Sequence, residues 1–295
     1  MSADQFLQYL ISGLTIGSIY ALVGLGFTII YAVTRIINFA QGEFVMLGGM
    51  LSFYLISAAG IPLGPALILS VLIAAAIGAI MYLLAIRTAR KASVVSLIII
   101  TIGAAVFIRG IVGVGWGVDA VRPPYFTGYK SISFLGAYIH PQDLWIIGTT
   151  LVVVVLLHLF LSYTMVGKAL KACAISPVAA GMVGINPRAM ALIAFALAAA
   201  IGGIGGVVMA PSIGIDFNDG FKLGLMGFVA ASIGGFKSPI ATVIGGLTLG
   251  IVVSLAVGVD WGPFTSAYKD AIAMTVLLLI LLIRSGRLAA EERES

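Results

Sequence analysis

Few side chains in this sequence can do chemistry, and most of those lie in two places. The first is Arg35-Ile36-Ile37-Asn38-Phe39-Ala40-Gln41-Gly42-Glu43, a polar interruption between two apolar runs. Glu43 can face an ammonium group or a cation there, and Asn38 and Gln41 can supply neutral hydrogen bonds. A plainer role is open to each: Asn38 or Gln41 caps the next helix, and Glu43 supports its electropositive N-terminus. Arg109 stands inside an apolar run, about six residues from its outer end. Such a charge faces a cavity or a partner, unless it snorkels to the surface. A matching interruption, Gly234-Gly235-Phe236-Lys237-Ser238-Pro239, occupies a comparable place in the second half. Ser238-Pro239 is a cap followed by an N1 proline, and Lys237 suits a cytoplasmic turn. Asn38, Gln41, Glu43, Arg109 and Ser238 are therefore candidates for a translocation path.

The second place is residues 164–192, TMVGKALKACAISPVAAGMVGINPRAMAL. Thr164 can cap a short helix over 165–174. Ser176-Pro177 places a capping hydroxyl before an N1 proline and starts a second piece over 177–183. Gly184 ends it, because glycine tolerates the left-handed conformation. Asn186-Pro187 repeats the device and starts the next long helix. Lys168 and Lys171 lie three apart on one face. The small residues Ala179, Ala180, Gly181 and Gly184 permit close approach by another surface. A docking helix and an interfacial helix with snorkelling lysines both fit this pattern.

These residues must be positioned by a membrane bundle. Hydrophobic residues make up 61% of the chain and charged residues 9%. A soluble domain carries roughly 25% charge, so the bilayer is the main solvent. Apolar segments run over 10–33, 42–58, 63–86, 94–115, 143–163, 187–210, 222–234, 239–258 and 268–284. A full crossing needs about 20 residues; segment 222–234 reaches only roughly 20 Å and reads as part of a broken or re-entrant helix. The expected fold is an all-α integral membrane protein with eight or nine membrane segments, one transmembrane domain over residues 1–295. Interruptions at matching places in the two halves point to an inverted repeat. With the N-terminus outside and the C-terminus inside, Arg35, Arg87, Arg90, Lys91, Lys168, Lys171, Arg188, Lys237, Arg284, Arg287 and Arg293 all fall on the cytoplasmic side. The loop 116–142 is then extracytoplasmic, with turns and short extended pieces.

Several chemistries find no support. The single cysteine, Cys173, excludes an intrachain disulfide and a multi-cysteine metal site. His140 sits beside a loop proline, and His158 is alone in an apolar run, where a satisfied bundle residue is the expectation. No Ser/His/Asp or Cys/His constellation stands out, and no G-x-x-x-x-G-K-[ST] phosphate loop occurs. The excess of cations lies in loops on one side and gives no reason to expect nucleic acid. An N-terminal signal peptide is not evident either, since Met1–Gln8 lacks a positive residue.

Ala179-Ala180-x-x-x-Gly184 resembles the core of the loop by which ABC importer permeases dock on their ATPases. Val178 stands where most of these have glutamate, and Asn186-Pro187 replaces a later Leu-Pro. That departure resembles the LivH-type branched-chain amino acid permeases. Three further blocks are similar to the same family: 13–49, 224–250 (with Lys237 and Ala241 where glycines are usual) and 268–288. The resemblance implies a non-catalytic permease subunit that imports branched-chain or related small amino acids across a bacterial inner membrane. It implies a second homologous permease as heterodimer partner, two cytoplasmic ATPases carrying ATP and Mg, and a periplasmic binding protein, with lipid around the spans. The coupling loop would be 164–188, with Lys168, Lys171, Ala179, Ala180, Gly181, Gly184, Ile185 and Asn186 as its residues and Ala179, Ala180 and Gly184 as the contact face. A stand-alone channel or secondary carrier for a urea- or amide-like solute is the alternative.

Overall fold

The computed structural model describes residues 3–89, 92–134, 136–236 and 238–258, together with 271, 274, 275 and 278. Lys237 and nearly all of the expected 268–284 segment lie outside the described residues. Ten helices occur among those described: α1 (Ala3–Thr34), α2 (Gln41–Ser57), α3 (Leu63–Met81, prolonged by a π-turn over Tyr82–Ile86), α4 (Val94–Trp116), α5 (Pro141–Tyr163), α6 (Met165–Ile175), α7 (Pro177–Met182), α8 (Pro187–Ile213), α9 (Asp219–Ile233) and α10 (Pro239–Gly258). Six are long and apolar enough to cross a membrane: those of α1, α3 with its π-turn, α4, α5, α8 and α10. The 17-residue α2 and the 15-residue α9 are shorter.

Glycine spacing sets the central packing. Gly13 and Gly17 on α1 face Gly246 and Gly250 on α10. A methyl group at Gly13 would lie 2.7 Å from the Ile251 Cα, and one at Gly250 would overlap Gly17. The two backbones thus meet directly, as small-xxx-small faces allow. Gly206 of α8 packs in the same way on the Val45 carbonyl of α2. α1, α2 and α8 form the core, with Phe27, Phe44 and Phe195 fully buried. α4 is peripheral and turns one stripe inward: Thr101, Ala105 and Val112 are buried while Val106, Phe107, Ile111 and Val114 are exposed. α5 behaves likewise. His158 is exposed on its outer face, so it is not the satisfied bundle residue expected from the sequence.

The bundle has a basic end and a loop end. Arg35, Arg87, the α6–α7 segment and the α9–α10 turn gather at the first, where Arg35 donates to the Ala174 carbonyl (2.8 Å) and Tyr31 packs on Phe236. The loop end carries residues 117–140. There a two-stranded antiparallel hairpin, β1 (Ile132–Phe134) and β2 (Ala137–Ile139), pairs Ile132 with Ile139. The loop is packed down: Val121 bridges Ile215, Gln8 exchanges hydrogen bonds with the Tyr138 backbone, and Trp145 donates to Thr127.

Candidate functional site

The connection from α1 to α2 runs through the interior. Arg35 takes a left-handed conformation (φ 59°) and ends α1, which costs a non-glycine residue about 1–2 kcal/mol. Phe236 does the same after α9 (φ 56°). From Arg35 the chain dips back among the helices: Phe39 N–H donates to Thr101 Oγ1 of α4, and Gln41 Nε2 donates to the Ala198 carbonyl of α8 (2.9 Å). Asn38, Gln41 and Glu43 are 0–1% exposed. The expected side-chain cap is absent. Ala40 is the N-cap of α2, Gln41 is the first helical residue, and Asn38 Oδ1 accepts from Ala40 N–H. A β-turn around Asn38 closes the segment instead, because the short side chain bonds its own backbone more readily than it spans a turn.

α2 therefore begins within the bundle, and the first turn of α9 packs antiparallel against it. Gly42 meets the Gly220 carbonyl and Gly224, and Gly220 lies against the Glu43 carboxylate. Glu43 also forms an ion pair with Arg109 (2.5 Å), whose guanidinium lies 5.6 Å from the Phe221 ring centre. Arg109 thus turns inward to a partner and does not snorkel. Four buried atoms here have no hydrogen-bond partner: Asn38 Nδ2, Gln41 Oε1, Glu43 Oε2 and Arg109 Nε. Buried polar atoms are ordinarily paired, so the cluster has capacity for further hydrogen bonds.

Ser238 does not join the cluster. It follows the opposite end of α9 from Gly220, about 20 Å away at 1.5 Å per residue. The α8–α9 link, not the α9–α10 turn, is what meets the first break. Gly220-x-x-x-Gly224 was the available signal.

At the basic end, the caps read from the sequence are formed. Thr164 accepts from Gly167 N–H, Ser176 from Ala179 N–H, and Asn186 from Arg188 and Ala189 N–H. Each such cap stabilises by about 1 kcal/mol. Gly184 is left-handed (φ 86°), and Ile185 N–H returns to the Ala180 carbonyl. Lys168 and Lys171 are exposed, and Lys171 donates to Ser162. Ala180, however, is 3% exposed and packs inward. It is not on a contact face, because the helix start at Pro177 turns positions 178, 179, 182 and 183 outward instead. Val178, Met182 and Val183 are each at least 75% exposed, alongside Ala179, Gly181 and Gly184. The apolar patch follows i, i+4 spacing (Val178/Met182 and Ala179/Val183), which is the signal for it in the sequence.

Residues 9–281 match the family model described as the permease component of the branched-chain amino acid transport system. The chain is 32% identical to the high-affinity branched-chain amino acid transport system permease protein LivH of Escherichia coli K12, over 94% of this chain and 93% of that one. It is 32% identical to the corresponding BraD protein of Pseudomonas aeruginosa, over 98% of each. A probable LivH of Methanocaldococcus jannaschii is 28% identical, over 90% and 87%. Among solved structures, a chain of PsaBC from Streptococcus pneumoniae in complex with Fab shares the fold with a TM-score of 0.51 at 14% identity, over 93% of this chain and 90% of that one. The chain belongs to the family of branched-chain amino acid transport permeases, the non-catalytic transmembrane components of ABC transport systems.

Proposed function

We propose that this permease moves branched-chain or related small amino acids inward across the bacterial inner membrane, driven by ATP hydrolysed on partner subunits. The observation that carries this reading is the α6–α7 segment. It is rigidly capped, tied to the end of α1 through Arg35, and presents Val178, Met182 and Val183 to solvent beside Lys168, Lys171 and Arg188. An exposed apolar patch rimmed by charge suits a protein partner. Two cytoplasmic ATPases would dock there, and their closure would reach the spans through Arg35 and α1. A homologous permease and a periplasmic binding protein complete the complex, with lipid against the exposed apolar faces of α3, α4 and α5.

The basic end is cytoplasmic in this reading, the N-terminus and the 117–140 loop are outside, and the chain is one transmembrane domain. α2 and α9 act as broken helices. Their interlocked first turns, and the left-handed residues Arg35 and Phe236 at comparable breaks, favour an inverted repeat. The Asn38–Gln41–Glu43–Arg109 cluster borders the path. A stand-alone carrier is disfavoured because its coupling ion would need a midplane ligand, and Glu43 is already engaged by Arg109. ATP-dependent leucine uptake into liposomes holding the assembled complex tests the reading; uptake by this chain alone, without ATP, would refute it.

A further inference from the structure

A pocket of about 190 Å³ lies at the loop end between α1, α8 and α9. Helical spacing builds it: Ile16 and Ile19 come from one face of α1, Met209 from α8, and Asp219, Lys222 and Met226 from one face of α9. Most of the wall is aliphatic or thioether. The two charges stand together at its rim, Lys222 Nζ 3.4 Å from Asp219 Oδ1. Asp219 is held in place, because its other oxygen accepts the Asp216 N–H at 2.8 Å, and Asp216 in turn accepts from Asn218 N–H. Its carboxylate also sits at the electropositive start of α9.

We propose that this pocket receives the zwitterionic head and branched side chain of an aliphatic amino acid on the extracytoplasmic side. Asp219 Oδ1 takes the ammonium, Lys222 the carboxylate, and the Ile16, Ile19, Met209 and Met226 wall the side chain. The inference rests on the transport reading above and locates the substrate within it. Asp219 and Lys222 form a partly exposed pair, with side chains 24% and 58% exposed, weak enough to open. A zwitterion inserted between them exchanges one ion pair for two and leaves no charge unpaired, the condition for taking charges out of water. A site with one charge would leave half of the head group without a partner. The two methionines flank an aliphatic chain with adaptable surface, which fits side chains branched at either the β or the γ carbon. The Glu43–Arg109 pair has the same complementary charges, but Glu43 is 1% exposed and the pair is closed at 2.5 Å. The Glu43–Arg109 pair packs against the same first turn of α9 that carries Asp219 and Lys222, since Gly220, next to Asp219, lies on Glu43. Arrival of substrate at Asp219 thus bears directly on the helix start that contacts the buried pair.

The test uses the full complex, with partner permease, ATPases and binding protein, in liposomes. ATP-driven L-leucine uptake and binding-protein-stimulated ATP hydrolysis are measured side by side. Lys222→Gln alters a side chain that is 58% exposed, and Met226→Trp fills the pocket. Each should lower uptake by about tenfold or more while hydrolysis persists. Uptake within about threefold of wild type in both variants overturns the proposal. So does a parallel loss of uptake and hydrolysis in Lys222→Gln, which would place the residue in coupling. A wild-type complex that imports no leucine refutes the transport reading itself, and is told apart from failure of the pocket because it needs no variant.

Discussion

Replacing Arg109 with glutamine should destabilise the protein out of proportion to the one hydrogen bond removed. Glu43 is 1% exposed and Arg109 is its ion-pair partner. Removing one member of a buried pair leaves an uncompensated charge and costs about 3–5 kcal/mol. Glu43→Gln removes the buried charge itself and leaves an arginine whose side chain is 21% exposed and lies over Phe221; its expected cost is about 1–3 kcal/mol. The double variant Glu43→Gln/Arg109→Gln should therefore be more stable than the sum of the two, with a coupling of about 2 kcal/mol or more. The geometry of α4 adds a second expectation. This helix is tied to the bundle at three heights on one face: Thr101 to Phe39, Arg109 to Glu43, and the Trp116 carbonyl to the Tyr54 hydroxyl. Successive ties are eight and seven residues apart, about 12 and 10 Å along the axis. Loss of the middle one should loosen α4 before the rest. Unfolding of the purified protein in mixed micelles, read globally and by a label on α4, measures both effects. Additive single-variant costs, with a coupling below about 0.5 kcal/mol, would refute the claim that Glu43 depends on Arg109.

Other outcomes follow from separate parts of the molecule. Gly250→Leu should abolish folded protein in the membrane, because even a methyl group there overlaps Gly17, whereas Gly64→Ala, with open space around it, should be neutral; expression and gel-filtration profiles compare them. Cys173 is 1% exposed and burial pushes its thiol pKa up, so at neutral pH it should resist maleimide until the protein is unfolded, and rapid native labelling would show that α6 does not pack as described. Ser176→Ala and Asn186→Ala should each cost about 1 kcal/mol, measurable as faster proteolysis of the 164–188 segment, and wild-type cleavage rates would show the caps to be idle.

Much of this architecture was legible because apolar length and cap chemistry are local. Thr164, Ser176-Pro177 and Asn186-Pro187 announce helix starts whatever surrounds them, and all three caps form. Gly13-x-x-x-Gly17 and Gly246-x-x-x-Gly250 have the spacing of close-packing faces, but nothing local pairs α1 with α10. The same limit explains what the sequence does not show. Which residue of α7 turns outward depends on how the short helix lies on the bundle, so Ala180 was placed on the wrong face. Which end of α9 meets Glu43 depends on tertiary packing across more than 170 residues of sequence, so nothing local shows that Gly220 rather than Ser238 lies beside it. The pairing of Glu43 with Arg109 is equally non-local; the sequence shows two charges in apolar runs, and only the fold brings them together.

The account turns on the α6–α7 segment as the element that grips the ATPases, and one measurement addresses it directly. Co-purification of the ATPases with Val178→Arg and Met182→Arg variants, both at exposed positions that the chain's own fold leaves open, should show the ATPases released while the permease remains folded. ATPases retained at wild-type stoichiometry on both variants would contradict the account.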